Sequence, residues 1–150
     1  MTAKKLKRML GVYGPYLGAG VRVTLVSDDF KTVHVEMPLR FYNRNYVGTH
    51  FGGSLYSMCD PFYMLMLINI LGPDYIVWDK AAAIRFKKPG KGVVKAVFQL
   101  TDERIAEIKN AADGQGKIEP KFHVSVIDSD GTLVAEIDKL LYVRKKAPKT

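Results

Sequence analysis

One stretch of this chain decides what it can fold into. From Leu55 to Leu71, the apolar residues Leu55, Met58, Phe62, Met64, Leu65, Met66, Leu67, Ile68, Ile70 and Leu71 fall on nearly every side of a helix. Such a helix has no polar face to give to water, so other elements must cover it. It is not read as a membrane span: a span needs about 20 apolar residues with few breaks, and this run carries Asp60, Pro61 and Asn69 before Gly72 and Pro73 stop it. Pro61 lacks an amide proton and is expected to bend or restart the helix near Asp60.

Most of the remaining sequence reads as strand. Val21, Val23 and Leu25 alternate with polar residues, Asp28 and Asp29 turn the chain, and Val33, Val35 and Met37 alternate again, an antiparallel hairpin closed by Pro38. Further strand runs extend from Ile76 to Phe86, Val93 to Leu100, Phe122 to Asp128 and Thr132 to Val143, the last two joined at Asp130 and Gly131. Two shorter helices flank this pattern. One runs from Thr2 to Leu10 and is broken by Gly11, Gly14, Pro15, Gly18 and Gly20. The other lies between Thr101 and Ala112, with Thr101 as cap, Glu103 and Glu107 in its early turns and Lys109 at its end.

An antiparallel sheet with one apolar face and one helix apolar all round predicts an α+β fold in which a curled sheet wraps the helix. An open sandwich, or a half-barrel sealed by a second subunit, satisfies the same pattern. The 150 residues suit one domain spanning the whole chain.

The 23 Lys and Arg against 15 Asp and Glu leave a formal charge of +8, which favours anionic partners. Much of the excess lies in Lys4, Lys5, Lys7 and Arg8 and in Arg144, Lys145, Lys146 and Lys149, where solvated tails are the simplest expectation. Nucleic acid is not the expected partner, because no aromatic RNP-type motif, zinc pattern or helix-turn-helix accompanies the charge. The lone Cys59 and an N-terminus without a signal-peptide pattern point to the cytoplasm. His34 and His123 sit on strands without a Cys or carboxylate at metal-ligand spacing, so no metal is expected. Cys59 reads as a core thiol, and the helix methionines as core filler or the lining of an acyl tunnel.

Chemistry concentrates between Asn45 and Asp60. Gly52 and Gly53 open the apolar helix, and without side chains they let a ligand approach the amides of its first turn, which can hold a thioester oxygen or an oxyanion. A close-packed helix entry without a ligand explains the same glycines. Asp60, expected to be a buried carboxylate inside the apolar run, is a candidate general base or nucleophile, or else a structural cap for the helix restarting at Pro61.

This segment resembles the signature of the hot-dog-fold acyl-CoA thioesterases of the PaaI-like group: an Asn, a Gly, then His-Gly-Gly, then an Asp in the central helix. Asn45, Gly48, Gly52, Gly53 and Asp60 fall in register with it, and Ala81 to Ala96, centred on Arg85-Phe86-Lys87-Lys88-Pro89-Gly90-Lys91-Gly92, resembles the strand-turn-strand that follows. One position departs. Phe51 stands where the family has His, and His50 lies one residue earlier, which reverses its side chain in extended structure. The chain thus resembles a branch of the group without the usual His.

The resemblance implies hydrolysis of a coenzyme A thioester, with Gly53, Asp60 and Asn45 as the catalytic set: the Gly53 amide at the carbonyl, Asp60 activating water or attacking, and Asn45 orienting the water or thioester. His50, Phe51, Gly52 and Ser54 would line the substrate site, and Lys87, Lys88 and Lys91 would attract the coenzyme A phosphates. No metal is implied, nor any cofactor beyond the coenzyme A of the substrate itself. A homodimer, or two dimers paired as a tetramer, is the expected assembly. The alternative is a non-catalytic acyl-CoA or fatty-acyl binding protein of the same fold.

Overall fold

The computed structural model describes residues 1–147; Lys149 lies outside them. The chain opens with helix α1 (Ala3–Gly11), capped by the Thr2 side chain accepting from the Lys5 amide, and a second short helix α2 (Gly14–Ala19). The sequence reading had α2 as a glycine-broken loop. Pro15 instead sits in its first turn, where a missing amide proton costs nothing, and Gly20 ends it in the left-handed conformation at φ 78°.

Strands β1 (Arg22–Val26) and β2 (Thr32–Pro38) form the expected hairpin. The apolar helix then divides into α3 (Gly52–Ser57) and α4 (Phe62–Leu71), with the break at Pro61 that its missing donor predicts. Strand β3 (Tyr75–Phe86) and strand β4 (Val93–Gln99) follow. Helix α5 (Asp102–Gln115) is capped by Thr101 as expected and runs past Ala112 to Gly116, whose φ of 78° ends it. A two-residue strand β5 (Lys117–Ile118), too short to read from pattern, precedes β6 (Lys121–Ile127) and β7 (Leu133–Lys145).

The strands form one antiparallel sheet in the order β1-β2-β4-β6-β7-β3, with β5 paired to β7. Its inner face curls round α3 and α4, giving the α+β architecture the sequence predicts. Phe98 of β4 meets Phe62 and Tyr63 at ring distances of 4.8 and 5.3 Å, and Tyr63 stacks on Phe122 of β6. The stretch Gly52–Leu71 has the length and apolar composition of a membrane span, but here Phe62, Tyr63, Met66 and Leu67 are buried against the sheet.

Coverage of α4 is incomplete. Ile68 is 41% exposed and Met64, Leu65, Ile70 and Leu71 are half-buried, so the helix is not enclosed on every side. Strand β3 also leaves its outer edge free and exposes Trp78, Ala81, Ala82, Ala83 and Phe86. Among the described residues, Lys4, Lys5, Lys7 and Arg8 lie on α1 and Arg144 and Lys145 end β7, rather than forming tails, and Lys145 pairs with Asp113 at 3.0 Å.

Leu67 is fully buried where the helix meets the sheet. Leu67→Ala is expected to lower unfolding free energy by about 2–5 kcal/mol, read as a drop in the urea midpoint at unchanged slope; a midpoint equal to the parent's would mean that this contact is not part of the core.

Candidate active site

The loop from Asn45 to His50 is held by one side chain. Asn45 Oδ1 accepts from the Val47 and Thr49 amides at 3.1 and 2.9 Å, and its Nδ2 donates to Thr49 Oγ1 and the His50 carbonyl at 2.9 and 3.3 Å. Every hydrogen-bonding position of Asn45 is thereby committed to its own loop. As folded, it shapes the approach to the glycines, and orienting water or thioester would require it to release one of these bonds.

His50 and Phe51 point in opposite directions, as a one-residue shift dictates. His50 is 3% exposed and Phe51 57%. The His50 Nε2 lies 2.8 Å from the Gly92 carbonyl; a carbonyl only accepts, so Nε2 carries the proton and Nδ1 is a bare acceptor. Nδ1 is buried without a partner among the described residues. Burial pushes the His50 pKa down, opposed by the bond to Gly92, so the ring is neutral at pH 7.

Phe51 begins α3 in an extended conformation, and its carbonyl accepts from both the Ser54 and Leu55 amides. Gly52 and Gly53 are left as the leading amides of the helix. The rings pack close: a Cβ on Gly52 would meet the Phe86 ring at 2.9 Å and one on Gly53 the Phe51 ring at 2.7 Å, so a larger residue at either position would have to displace an exposed ring. Two half-exposed phenyl rings therefore cover the glycine pair. Asn45, His50, Gly52, Phe86, Lys87 and Lys88 are among the residues lining an adjoining cavity of about 320 Å³. Lys87 pairs with Glu136 at 3.2 Å; Lys91 is exposed nearby without lining the cavity.

Asp60 lies in the break between α3 and α4 and is 48% exposed, which corrects its reading as a buried carboxylate. It does not cap α4, whose first turn receives no side-chain hydrogen bond. Its Oδ1 accepts instead from the Tyr56 hydroxyl at 2.6 Å and from Lys139 Nζ at 3.0 Å. Lys139 is 1% exposed. Its Nζ also donates to Tyr56 Oη at 3.2 Å and lies 3.0 Å from Asp79 Oδ1, an ion-pair contact outside hydrogen-bond alignment.

The sequence reading missed Lys139 and Asp79, although a signal existed. Lys139 interrupts the buried series Ala135, Ile137, Leu141 and Val143 on β7, and Asp79 follows Tyr75 and Val77 on the inward face of β3, just before a bulge between Asp79 and Ala81. A charge at an inward position of a strand requires a partner. Burial alone would lower the Lys139 pKa, but its contacts with Asp60 and Asp79 outweigh this and hold it above the usual lysine value; burial raises that of Asp79 despite Lys139.

Neighbouring groups are inert. Cys59 is fully buried and burial pushes its thiol pKa up, as a core thiol requires. The Tyr16 hydroxyl is buried without a partner among the described residues, and burial next to Asp60 keeps it neutral.

On the opposite, outer face of the sheet, His123 Nδ1 is 2.8 Å from Asp138 Oδ1, and Ser125 Oγ is 3.4 Å from Nε2. Arg85 also binds Asp138, whose pKa falls to about 2. This trio lies in mid-sheet, where β6 and β7 pair amide to carbonyl, so it has no free amides to receive an oxyanion. Among the described residues no group of three or more His, Cys, Asp or Glu is placed to hold a metal.

A long helix held in one curled antiparallel sheet, with a glycine pair at its start and a carboxylate at its break, defines a hot-dog fold. The sequence from residue 2 to residue 143 matches the family described as Domain of unknown function (DUF4442), and the chain belongs to that family. No curated protein matches it in sequence. Among solved structures it is similar to PA5026 of Pseudomonas aeruginosa, described as a protein of unknown function and probable thioesterase, at 24% identity over 95% of each chain with a TM-score of 0.81. It is also similar to the thioesterase HI1161 of Haemophilus influenzae, at 13% identity over 97% of this chain and 92% of that one with a TM-score of 0.69. The PaaI protein of the E. coli phenylacetic acid degradation operon is similar at 14% identity over 96% and 92%, with a TM-score of 0.65. At these identities the likeness is one of fold.

Replacing Lys139 by Met leaves two carboxylates without their shared cation and is expected to cost about 2–4 kcal/mol at neutral pH, toward the low end because Asp60 is half exposed. Because the Lys139 pKa is raised on folding, its contribution is present in full below the usual lysine value of 10.5 and disappears as pH climbs through the raised one. Urea melts should therefore show the gap between parent and variant closing at strongly alkaline pH; a gap independent of pH would rule out a charge-based role.

Proposed function

We propose that this protein hydrolyses acyl-CoA thioesters to the free acid and coenzyme A. The observation that carries the reading is the pairing, on one broken helix, of leading glycine amides with a half-exposed carboxylate anchored by a buried lysine. The thioester carbonyl accepts from the Gly53 amide, which stabilises the oxyanion as the carbonyl carbon becomes tetrahedral. Asp60 removes a proton from the attacking water, or attacks the carbon itself to give an anhydride that water then opens. Collapse of the tetrahedral species expels the coenzyme A thiolate. Lys139 and Tyr56 fix the carboxylate oxygen they share, leaving the other for the reaction.

Gly53 and Asp60 are seven residues apart in sequence, about 10 Å along a helix axis. One carbonyl does not reach both in the same chain, so the site is completed between two copies, the Gly53 of one working with the Asp60 of the other. The free edge of β3 and the half-covered side of α4 are the apolar surfaces a second copy would seal. Lys87 and Lys88 beside the cavity, with Lys91, supply positive charge for the phosphates of coenzyme A. The reaction needs no other cofactor.

The Phe51 ring against Gly53 favours one other reading, an acyl-CoA binding protein without turnover. Asp60→Asn separates the two. Loss of the carboxylate is expected to slow release of free coenzyme A thiol by about two to four orders of magnitude while leaving acyl-CoA affinity intact. Parent and variant hydrolysing at one rate would make Asp60 structural, and a parent that binds without turnover would establish the binding reading.

A further inference from the structure

Helix α1 carries a feature that the proposed reaction does not use. Ala3, Leu6 and Leu10 are buried on one side, and Lys4, Lys5, Lys7 and Arg8 are all exposed. No acidic residue precedes Asp28, so neither this helix nor the segment after it offers compensating charge from its own sequence. Lys7 reaches back to the Thr24 carbonyl, whereas Lys4, Lys5 and Arg8 make no ion pair among the described residues. At 100° per residue, Lys4, Arg8 and Lys5 occupy the arc opposite the buried side chains, and Met9 stands one turn beyond Lys5 on its shoulder.

The cations run directly into exposed apolar residues. Met9 is 46% exposed, Val12 71%, Tyr13 48% and Leu17 60%, on the end of α1, the turn and α2. Large apolar side chains clustered beside a cationic arc are unusual on a surface that meets only water.

We infer that this N-terminal face docks on an anionic lipid bilayer, with Lys4, Lys5 and Arg8 at the headgroups and Met9, Val12, Tyr13 and Leu17 entering the interface. Charge decides against a second copy of the chain as the occupant, since two such faces brought together would oppose like charges. The apolar residues decide against a nucleic acid backbone, which would use the cations and leave Val12 and Leu17 in water. Docking here is peripheral: the apolar side of α1 is already used by the core, so attachment is reversible and weakens with salt. It does not depend on the proposed reaction.

The test is co-flotation of the full chain with vesicles of phosphatidylcholine alone or mixed with phosphatidylglycerol, beside a duplex oligonucleotide as competitor. The expected result is binding to the mixed vesicles only, decreasing with salt. The combined Lys4→Glu, Lys5→Glu and Arg8→Glu variant should lose about a hundredfold in affinity, with its thermal midpoint near the parent's, and Val12→Ser with Leu17→Ser should weaken vesicle binding with every cation still present. Equal flotation of parent and triple variant, or no flotation at all, overturns the inference. So does binding to the oligonucleotide that ignores the two serine substitutions and displaces the vesicles.

Discussion

A single ammonium on the inner face of the sheet fixes where the broken helix sits. Lys139 belongs to β7, Asp79 to β3, and Asp60 to the gap between α3 and α4, so one buried cation ties three elements together. Desolvating that cation is costly, and among the described residues the two carboxylates and the Tyr56 hydroxyl and ring offset it. Apolar residues of equal volume would stabilise the fold at least as well. What the charged cluster adds is geometry: it holds Asp60 at the surface with one oxygen occupied and the other open. Two carboxylates share one cation, so Lys139 does not neutralise the site.

The glycine end of the helix is governed by close packing. Asn45 shapes the loop, Gly92 takes the His50 proton donor, and the rings of Phe51 and Phe86 rest where side chains on Gly53 and Gly52 would lie. The approach to the Gly53 amide therefore passes beside the Phe51 ring, which occupies the position before the two glycines. The protein thus has a fixed carboxylate at one end and an aromatic-walled amide at the other, about two helical turns away.

Much of this was legible in the sequence because it rests on patterns with short periods. The all-round apolar run located the helix, Pro61 located its break, period-two alternation located the long strands, and Thr101 located the start of α5. The segment holding the glycines and Asp60 was also identifiable, since polar and glycine residues stand out against an apolar run. Helix α2 was hidden by its glycines, and β5 by its two-residue length. The loop-shaping bonds of Asn45 were not legible, because residue type does not reveal how many of its bonds the local loop will take. Asp60 was read as buried because the sequence does not show that the sheet leaves one side of the helix open. Lys139 was missed for a different reason: a lysine within a strand looks like a solvent-facing residue until its place in the buried series Ala135, Ile137, Leu141 is counted.

Subunit mixing tests directly whether the site is shared between two copies. Asp60→Asn lacks the carboxylate, and Gly53→Pro lacks the amide proton at a first-turn position where proline is tolerated, so each protein alone should be inactive toward acyl-CoA. After unfolding and refolding together in equal amounts, half the dimers combine one of each and carry one intact site in two, so about a quarter of parental thiol release should return. A mixture no more active than its two components, from proteins that demonstrably exchange subunits, would contradict the shared site.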